Sequence, residues 1–566
     1  MGNAFEVMER WEERLCLILL ASIPILYGLV GAISRLQISL LLVFILWLIT
    51  FTSRRPLLPI HRHEIPIILM LIWAALSSMW TVNISSTAGY IGNLLVGLGI
   101  YLAFRSGGIK AEKAVYLLIG VAALVAIYGI YQRLWIFGRI MDLLKGGAFP
   151  ILPEREAMIE RVGSGRVFST FMLPGLLGGY MASSIALGLG LVADLISSGR
   201  KGKPLLLAVA SLALMFLCLS LTMSFGGWLS LIISISSFFI VVGGKWKRLA
   251  IYSFLCALVL LIVLLLVRGG EVMERGRSPW GQRVMNWKAA LRIFADRPVL
   301  GTGAGTFGDI YVRYKDPQAN EVRDAHNTFL QMASELGAPG AIFFSAFVVM
   351  SLLYAVRNCL SSPLRAGLLC CFIALLSHNF VDLDWFVPEP QWLLWAVLGL
   401  IAGMDIQAGP GISSLPDLAK RVGIISVVAF LSLIPIIRFG MASVHFEAGE
   451  EAIWAGDLEK AHEEFSKAAS LNPLNGRYHA ASAYSLFLMI KAGKAPKEYI
   501  SKVVDGYERA ARSSPTSASF RAFLAELYLA LGNLEKAREN AELAFKNYPS
   551  KRRYKELLDR VKGWGR

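Results

Sequence analysis

Apolar runs long enough to cross a bilayer recur from Leu15 to Gly440. A spanning helix needs roughly 20 mostly apolar residues. Runs of that kind start near Leu15, Leu36, Ile65, Ala88, Ala114, Val167, Pro204, Gly226, Leu249, Gly337, Arg365, Trp392 and Val422. They predict about 13 spans, with 12 and 14 as the neighbouring counts. Leu15–Gly31 has the length of a signal-peptide core. No small-residue cleavage site precedes a soluble domain, and another apolar run follows at once, so it is expected to remain as a helix. The fold class is therefore all-α: a polytopic membrane helix bundle of about 12–13 spans over residues 1–440, followed by a helical repeat domain over 441–566.

The second domain shows a different pattern. Gly456-Asp457-Leu458-Glu459-Lys460-Ala461 recurs as Gly532-Asn533-Leu534-Glu535-Lys536-Ala537. Each copy runs into a proline stop, at Pro473 and Pro549, and a weaker middle copy ends at Pro515. The prolines are 42 and 34 residues apart. The second interval matches the tetratricopeptide period, and about three repeats is near the minimum for a stable stack. The Gly-Asx pair makes the turn, and Ala461, Phe465, Ala468, Ala537, Ala541, Ala544 and Phe545 are the predicted packing positions. Such a stack offers a groove for a protein partner, or serves as a spacer over the membrane domain.

Composition sharpens the division. Hydrophobic residues make up 55% of the 566 positions and charged residues 17%, with mean hydropathy +0.56. A soluble globular protein carries about 25% charged residues, which excludes a large soluble enzyme as a description of the whole chain. Of the 56 Lys+Arg and 40 Asp+Glu, 36 fall in the last 126 positions and 60 in the first 440. The net charge of +16 does not point to nucleic acid, because the basic residues lie in many short loops and form no single stripe. The cysteines (Cys16, Cys218, Cys256, Cys359, Cys370, Cys371) have no C-x-x-C spacing, and all but Cys359, in a short basic loop, sit in apolar runs. They read as buried small side chains.

Loop charge sets the orientation. With the N-terminus cytoplasmic, the inner loops carry 16 basic residues: Arg54, Arg55, Arg62, Arg105, Lys110, Lys113, Arg200, Lys201, Lys203, Lys245, Lys247, Arg248, Arg357, Arg365, Lys420 and Arg421. The short outer loops carry Arg35 alone. Two long segments then face outward, about 138–165 and 268–336, and an odd span count puts the repeat domain outside the plasma membrane as well.

The outer segments hold the candidate chemistry. Arg283-x-x-x-Trp287 is followed by Asp296-Arg297-Pro298-Val299-Leu300-Gly301-Thr302-Gly303-Ala304-Gly305-Thr306-Phe307, then Asp324-Ala325-His326-Asn327-Thr328-Phe329-Leu330, then Glu335-Leu336-Gly337. A glycine loop cradles a phosphate only when its N–H groups converge on an anion. In this order the motifs resemble the outer-loop signature of the O-antigen ligase / O-antigen polymerase superfamily. Arg166-Val167-Phe168-Ser169-Thr170-Phe171 with Pro174 is similar to the family's segment after the first large loop, and Ser377-His378-Asn379-Phe380 with Asp382 to its His/Asp pair before the last conserved span. The resemblance covers roughly Arg166–Leu400. In one place the chain departs from it. Where the family commonly has Ser-Arg-Gly, this chain has Ser224-Phe225-Gly226. The missing arginine is one the family uses on the donor diphosphate; Arg166, Arg277 and Arg323 are candidates to replace it.

The resemblance implies a metal-independent, cofactor-free transfer of a glycan from an undecaprenyl-diphosphate carrier to an acceptor hydroxyl on the outer face, with inversion. The acceptor is a glycan, lipid or protein, and the reaction is ligase-like or polymerase-like. Arginine stabilises a leaving diphosphate with permanent charge and bidentate donors, which suits Arg283 first and Arg166 second. His326 is the candidate base, since an ordinary imidazole titrates near neutral pH. Arg166, Arg277, Arg323 and Asn327 are the expected substrate contacts, with His378, Asp382 and Trp287 in support. Plainer roles compete: a loop hydrogen bond for His326, an ion pair with Asp296 or Glu274 for Arg283, a membrane-edge anchor for Arg166, a shared helix face for His378 and Asp382. Asp382-Leu383-Asp384 also resembles a metal motif of nucleotide-sugar transferases, but two acids in a short loop are common. Trp287, Trp385 and Trp392 read as interfacial or core aromatics. A transporter or lipid-linked glycan flippase would also have 12–14 spans, but it calls for mid-span charge and internal repeats. Here Arg133 and Asp194 lie close to span ends. A scaffold working through the repeats leaves the loop motifs unexplained.

Overall fold

A computed structural model describes residues 13–24, 60–106, 109–145, 159, 161–242, 252, 255, 279–404 and 415–564. The spans expected near Leu36 and Leu249, and the candidate Arg277, lie outside the described residues. Among those described, every regular element is a helix. Five helices are long and apolar enough to cross a membrane: Ile84–Arg105, Ala111–Leu143, Pro174–Ser197, Lys203–Thr222 and Thr328–Cys359. Phe225–Val241 and Pro363–His378 are shorter apolar helices. The chain is a multi-pass helical membrane protein.

After helical residues 13–24, the elements are α1 (Ile65–Leu76), α2 (Ile84–Ser106), α3 (Ala111–Tyr131), a π-turn (Gln132–Ile136), α4 (Phe137–Lys145), α5 (Pro174–Ser197), α6 (Lys203–Thr222), α7 (Phe225–Val242), α8 (Pro279–Asp296), α9 (Phe307–Tyr314), α10 (Thr328–Cys359), α11 (Pro363–His378), α12 (Pro388–Gly403) and α13 (Leu415–Trp454). The C-terminal helices are α14 (Leu458–Leu471), α15 (Gly476–Lys491), α16 (Ile500–Ser513), α17 (Ala518–Ala530), α18 (Leu534–Asn547) and α19 (Arg552–Gly563).

Helix α5 is the centre of the bundle and packs against α6, α7 and α11. Its small residues let backbones meet: a Cβ on Gly190 would lie 2.4 Å from the Cα of Gly367 in α11, and one on Gly227 in α7 would lie 2.8 Å from the Gly178 carbonyl carbon. In a bilayer, where the hydrophobic effect does not drive helices together, such close approach is a main source of association. An aromatic knot of Trp385, Trp395, Phe344 and Phe347 fills the space where α10 and α12 meet.

Several boundaries differ from the hydropathy pattern. The segment after Arg166 stays irregular up to Leu173, and α5 starts at Pro174, which is preset for the first turn. Helix α10 starts at Thr328, ahead of its apolar run, because the Asn327 side chain caps it; the helix then kinks at Gly337 (φ +66°). Cys359 ends α10 and is fully buried, not a loop residue. The segment read as a long outer loop contains α8, α9 and the first turns of α10. The change of composition at Met441 falls inside one unbroken helix, α13. Beyond it, helix hairpins turn at Gly456, Gly493 and Gly532, each with φ between +70° and +77°.

Candidate active site

Asp382 is the hub of the candidate cluster. Its carboxylate receives Arg283 Nη2 at 3.0 Å on one oxygen and lies 3.2 Å from His326 Nδ1 on the other. Three elements supply these groups: α8 carries Arg283, the turn before α10 carries His326, and the turn after α11 carries Asp382. His378 is the last residue of α11, and Asp382 lies beyond the helix, its N–H bonded to the His378 carbonyl. The expected shared helix face is therefore a turn. His378 lies between the two acids of the Asp-Leu-Asp motif, with Nδ1 2.7 Å from Asp384 and Nε2 4.0 Å from Asp382. Among the described residues, no group of three or more His, Cys, Asp or Glu side chains is arranged to hold a metal ion.

Glycines clear the ground beneath this cluster. A Cβ on Gly175 would lie 2.4 Å from Asp382 Oδ2, and one on Gly179 would lie 2.6 Å from His378 Nδ1. Burial alone would raise the Asp382 carboxyl; the Arg283 charge, the His326 hydrogen bond and the His378 charge outweigh it and hold the group well below the usual carboxylate range. An ionised carboxylate only accepts hydrogen bonds. His326 Nδ1 therefore carries a proton, and in the neutral form of the ring the lone pair is on Nε2.

Among the described residues the Arg283 partner is Asp382, not Asp296. Asp296 receives the Tyr314 hydroxyl at 2.5 Å, and Glu274 is outside the described residues. Trp287 Nε1 donates to the His326 carbonyl at 3.3 Å, so one helix both presents Arg283 and steadies the histidine backbone. Asn327 has a protein partner at each end of its amide: Oδ1 accepts from Leu330 N–H and Nδ2 donates to the Phe380 carbonyl at 2.9 Å. It caps α10 and straps it to the Asp382 turn. Arg323 is exposed and, among the described residues, makes no ion pair with the cluster.

Arg166 stands beside these groups. Its Nε donates to the carbonyl of Thr222, at the end of α6, at 3.0 Å. Burial and then the neighbouring Arg283 charge lower its pKa, against the pull of Asp382. Arg166 thus lies within electrostatic reach of both Arg283 and Asp382, while the carboxylate's ion pair is with Arg283. Arg166 also lies at the α6–α7 turn, which carries Phe225, the residue standing where an arginine was expected. Phe225 instead packs edge-on against Trp280, which packs against Trp287.

Backbone strain collects at the same place. Among the described residues, the non-glycine residues with positive φ are Ser169 (51°), Met223 (50°) and His326 (54°). One is in the candidate triad and the other two flank Arg166 and its Thr222 partner. Left-handed backbone outside glycine is uncommon and persists where surroundings over-determine it. At Ser169 the determinant is Gln132, a residue that hydropathy reading passed over. Its Oε1 accepts both Phe168 N–H (3.2 Å) and Ser169 N–H (2.9 Å) from within the π-turn. The available signal was a glutamine at the end of an apolar run.

The glycine loop is no phosphate cradle. The N–H groups of Gly305 and Phe307 converge on the buried Glu335 carboxylate at 2.7 and 3.0 Å, and Gly303 N–H bonds to the Glu335 carbonyl at 2.8 Å. Thr302 and Ala304 N–H groups go to the Ser334 carbonyl and Ser77 Oγ. The group that this loop holds is the protein's own Glu335 side chain, and the result is a rigid base for α9 and α10.

Fold and cluster together define a multi-pass membrane protein with an arginine-rich, histidine-bearing surface site. Residues 210–345, from α6 into α10, match the family model described as O-antigen ligase. That match supports a likeness to the O-antigen ligase superfamily over this region, and with it a membrane glycan-processing function. No curated protein matches the chain.

Proposed function

We propose that this protein transfers a glycan from an undecaprenyl-diphosphate carrier to an acceptor hydroxyl at the outer face of the membrane. The observation that carries the reading is Asp382, which joins Arg283 and His326 through its two oxygens. His326 Nε2 takes the acceptor proton, and the acceptor oxygen attacks the anomeric carbon. The bond from that carbon to the diphosphate oxygen breaks, and undecaprenyl diphosphate leaves with the electron pair, its charge met by Arg283 and Arg166. A single displacement inverts the anomeric centre. Asp382 is a positioning residue that fixes the tautomer and orientation of His326. Arg166 takes the place of the arginine that Phe225 displaces. The C-terminal helices form a tetratricopeptide-like stack on the same side of the membrane as the site, a reading supported by their contact with the segment after α9.

The test is glycan transfer by purified protein in lipid, from a polyprenyl-diphosphate-linked glycan donor. Two acceptors are supplied in parallel, a second lipid-linked repeat unit and a lipid core saccharide. His326→Ala is expected to lose kcat while still binding donor, and Arg283→Ala to lose both. Full activity in both folded variants would sink the mechanism. Product on the lipid core marks ligase chemistry, and product on the lipid-linked repeat marks polymerase chemistry.

A further inference from the structure

The segment between α9 and His326 is gripped from two sides. On the membrane-domain side, Asn320 N–H donates to Gln282 Oε1 at 2.7 Å, and Gln282 adjoins Arg283. The Tyr311 hydroxyl donates to Asn286 Oδ1 at 2.6 Å and to the Asn320 carbonyl at 3.1 Å. On the other side stands the C-terminal domain. The Tyr548 hydroxyl, just after α18, donates to Glu321 Oε1 at 2.5 Å. Lys551 Nζ lies 3.5 Å from the same oxygen. The Tyr548 ring is buried, with Lys315 Nζ 5.8 Å and Lys551 Nζ 5.6 Å from its centroid. Asn547, the preceding residue, donates to the Pro515 carbonyl at 3.0 Å and ties this corner to the rest of the helix stack.

We infer that the C-terminal domain completes the active site, with Tyr548 acting through Glu321 as a positioning residue for the segment that carries His326. The inference rests on the reading of His326 as the base. Glu321 is five positions before His326, and the hydrogen bonds of the intervening residues gather at the His326 end, on Gln331: Ala325 N–H donates to its Oε1 at 2.9 Å, and its Nε2 donates to Asp324 Oδ1 at 3.0 Å. Without Tyr548, the segment keeps its tie to Gln282 but loses the contact that fixes its outward side. The Tyr548 hydroxyl also holds the Glu321 carboxyl below its usual range, as expected for a carboxylate that receives a donor. The Lys551 contact matters less, because both of its side chains are more than half exposed. A grip made of one buried ring and one hydrogen bond is weak enough to be released, so a partner bound on the helix stack has a direct route to the base.

The experiment uses the full chain in lipid, with Tyr548→Phe, Tyr548→Ala, Glu321→Gln and the Tyr548→Phe/Glu321→Gln pair. Misplacing a catalytic group by a fraction of an ångström to an ångström is costly, so Tyr548→Phe is expected to lower kcat about tenfold with donor KM unchanged. Hydrogen exchange over 315–326 rises in the same variant, while exchange within α5 and α11 stays as in the parent. The pair loses no more than either single variant, because both remove one interaction. Unchanged exchange over 315–326 in folded Tyr548→Ala overturns the inference, as does a pair whose losses multiply. His326→Ala in the same assay separates the two claims. If it stays active, the base assignment fails, and the exchange data alone decide whether the domain holds the segment.

Discussion

Two clusters in this molecule are built from the same parts, and only one has the features of a site. At the start of α1, Glu64 accepts Tyr101 Oη at 2.6 Å and pairs with Arg105 Nη1 at 2.9 Å, while His63 Nε2 lies 3.0 Å from the same tyrosine. Like the Asp382 cluster, it combines one acid, one arginine and one histidine. Its pair is closed, with side-chain exposures of 4% and 7%. Arg283 and His326 keep 19% and 23% beside a 3% exposed Asp382. The Glu64 cluster lies on ordinary backbone, whereas positive φ occurs around the Asp382 cluster. Burial first, then the His61 and Arg105 charges, push His63 down to about 3, so it stays neutral. A buried acid with a cation is thus a lock when every member is sealed, and a site when the acid is sealed and its partners reach the surface.

The contrast can be broken most decisively by catalysis. Removing a general base costs about 10²–10⁴-fold in rate, so His326→Ala should lose kcat on that scale, and Asp382→Asn should lose much of the same factor through a misplaced imidazole. Donor binding measured alongside should survive in both. Equal kcat in Asp382→Asn would remove the distinction between the clusters. The converse applies at the lock. Glu64→Gln leaves Arg105 buried beside a neutral amide, and breaking a buried pair from one side costs about 3–5 kcal/mol. Thermal unfolding should show that loss while kcat per folded molecule is unchanged.

Acid separates the two clusters by pH window. A histidine whose folded pKa is lowered binds fewer protons folded than unfolded, so stability falls as pH drops below its unfolded value of about 6.5, by up to about 1.4 kcal/mol per unit. His63→Gln should flatten that slope between pH 6.5 and 5, and Asp382→Asn should not. The Asp382 contribution is fully present above the unfolded carboxylate value of about 4 and is lost only as pH falls below it toward the depressed folded value. The smallest effect is a rescue. Phe225→Arg placed in Arg166→Ala should recover donor KM by about 3–10-fold, the scale of one charge-assisted contact. No recovery would separate the Arg166 position from that of the absent arginine.

Much of this was legible beforehand, and the failures have physical causes. Apolar runs located α2, α3, α6 and α11 within a few residues, since span length is set by the bilayer. The starts of α5 and α10 were misplaced because Pro174 and Asn327 set them, and hydropathy is blind to caps. Arg166, Arg283, His326 and Asp382 were all singled out from motifs. The rank of Asp382 was not: in sequence it reads as a neighbour of His378, four positions away, and nothing there places it against residues 56 and 99 positions upstream. The partners of Gln132 and Glu335, and the Tyr548–Glu321 contact, have no local signature, because the meaning of a single polar residue lies in what it meets.

By itself the sequence determined a helical membrane body, a polar helical tail and the identity of the charged groups. Those properties follow from local composition, from bilayer thickness and from the cost of placing charge in hydrocarbon. Tertiary structure alone decided which carboxylate lies between Arg283 and His326, which arginine stands at the turn with Phe225, and that the glycine loop holds Glu335. A charge–charge contact depends on distance in space, and the chain brings α8, the His326 turn and the Asp382 turn together only through packing around α5.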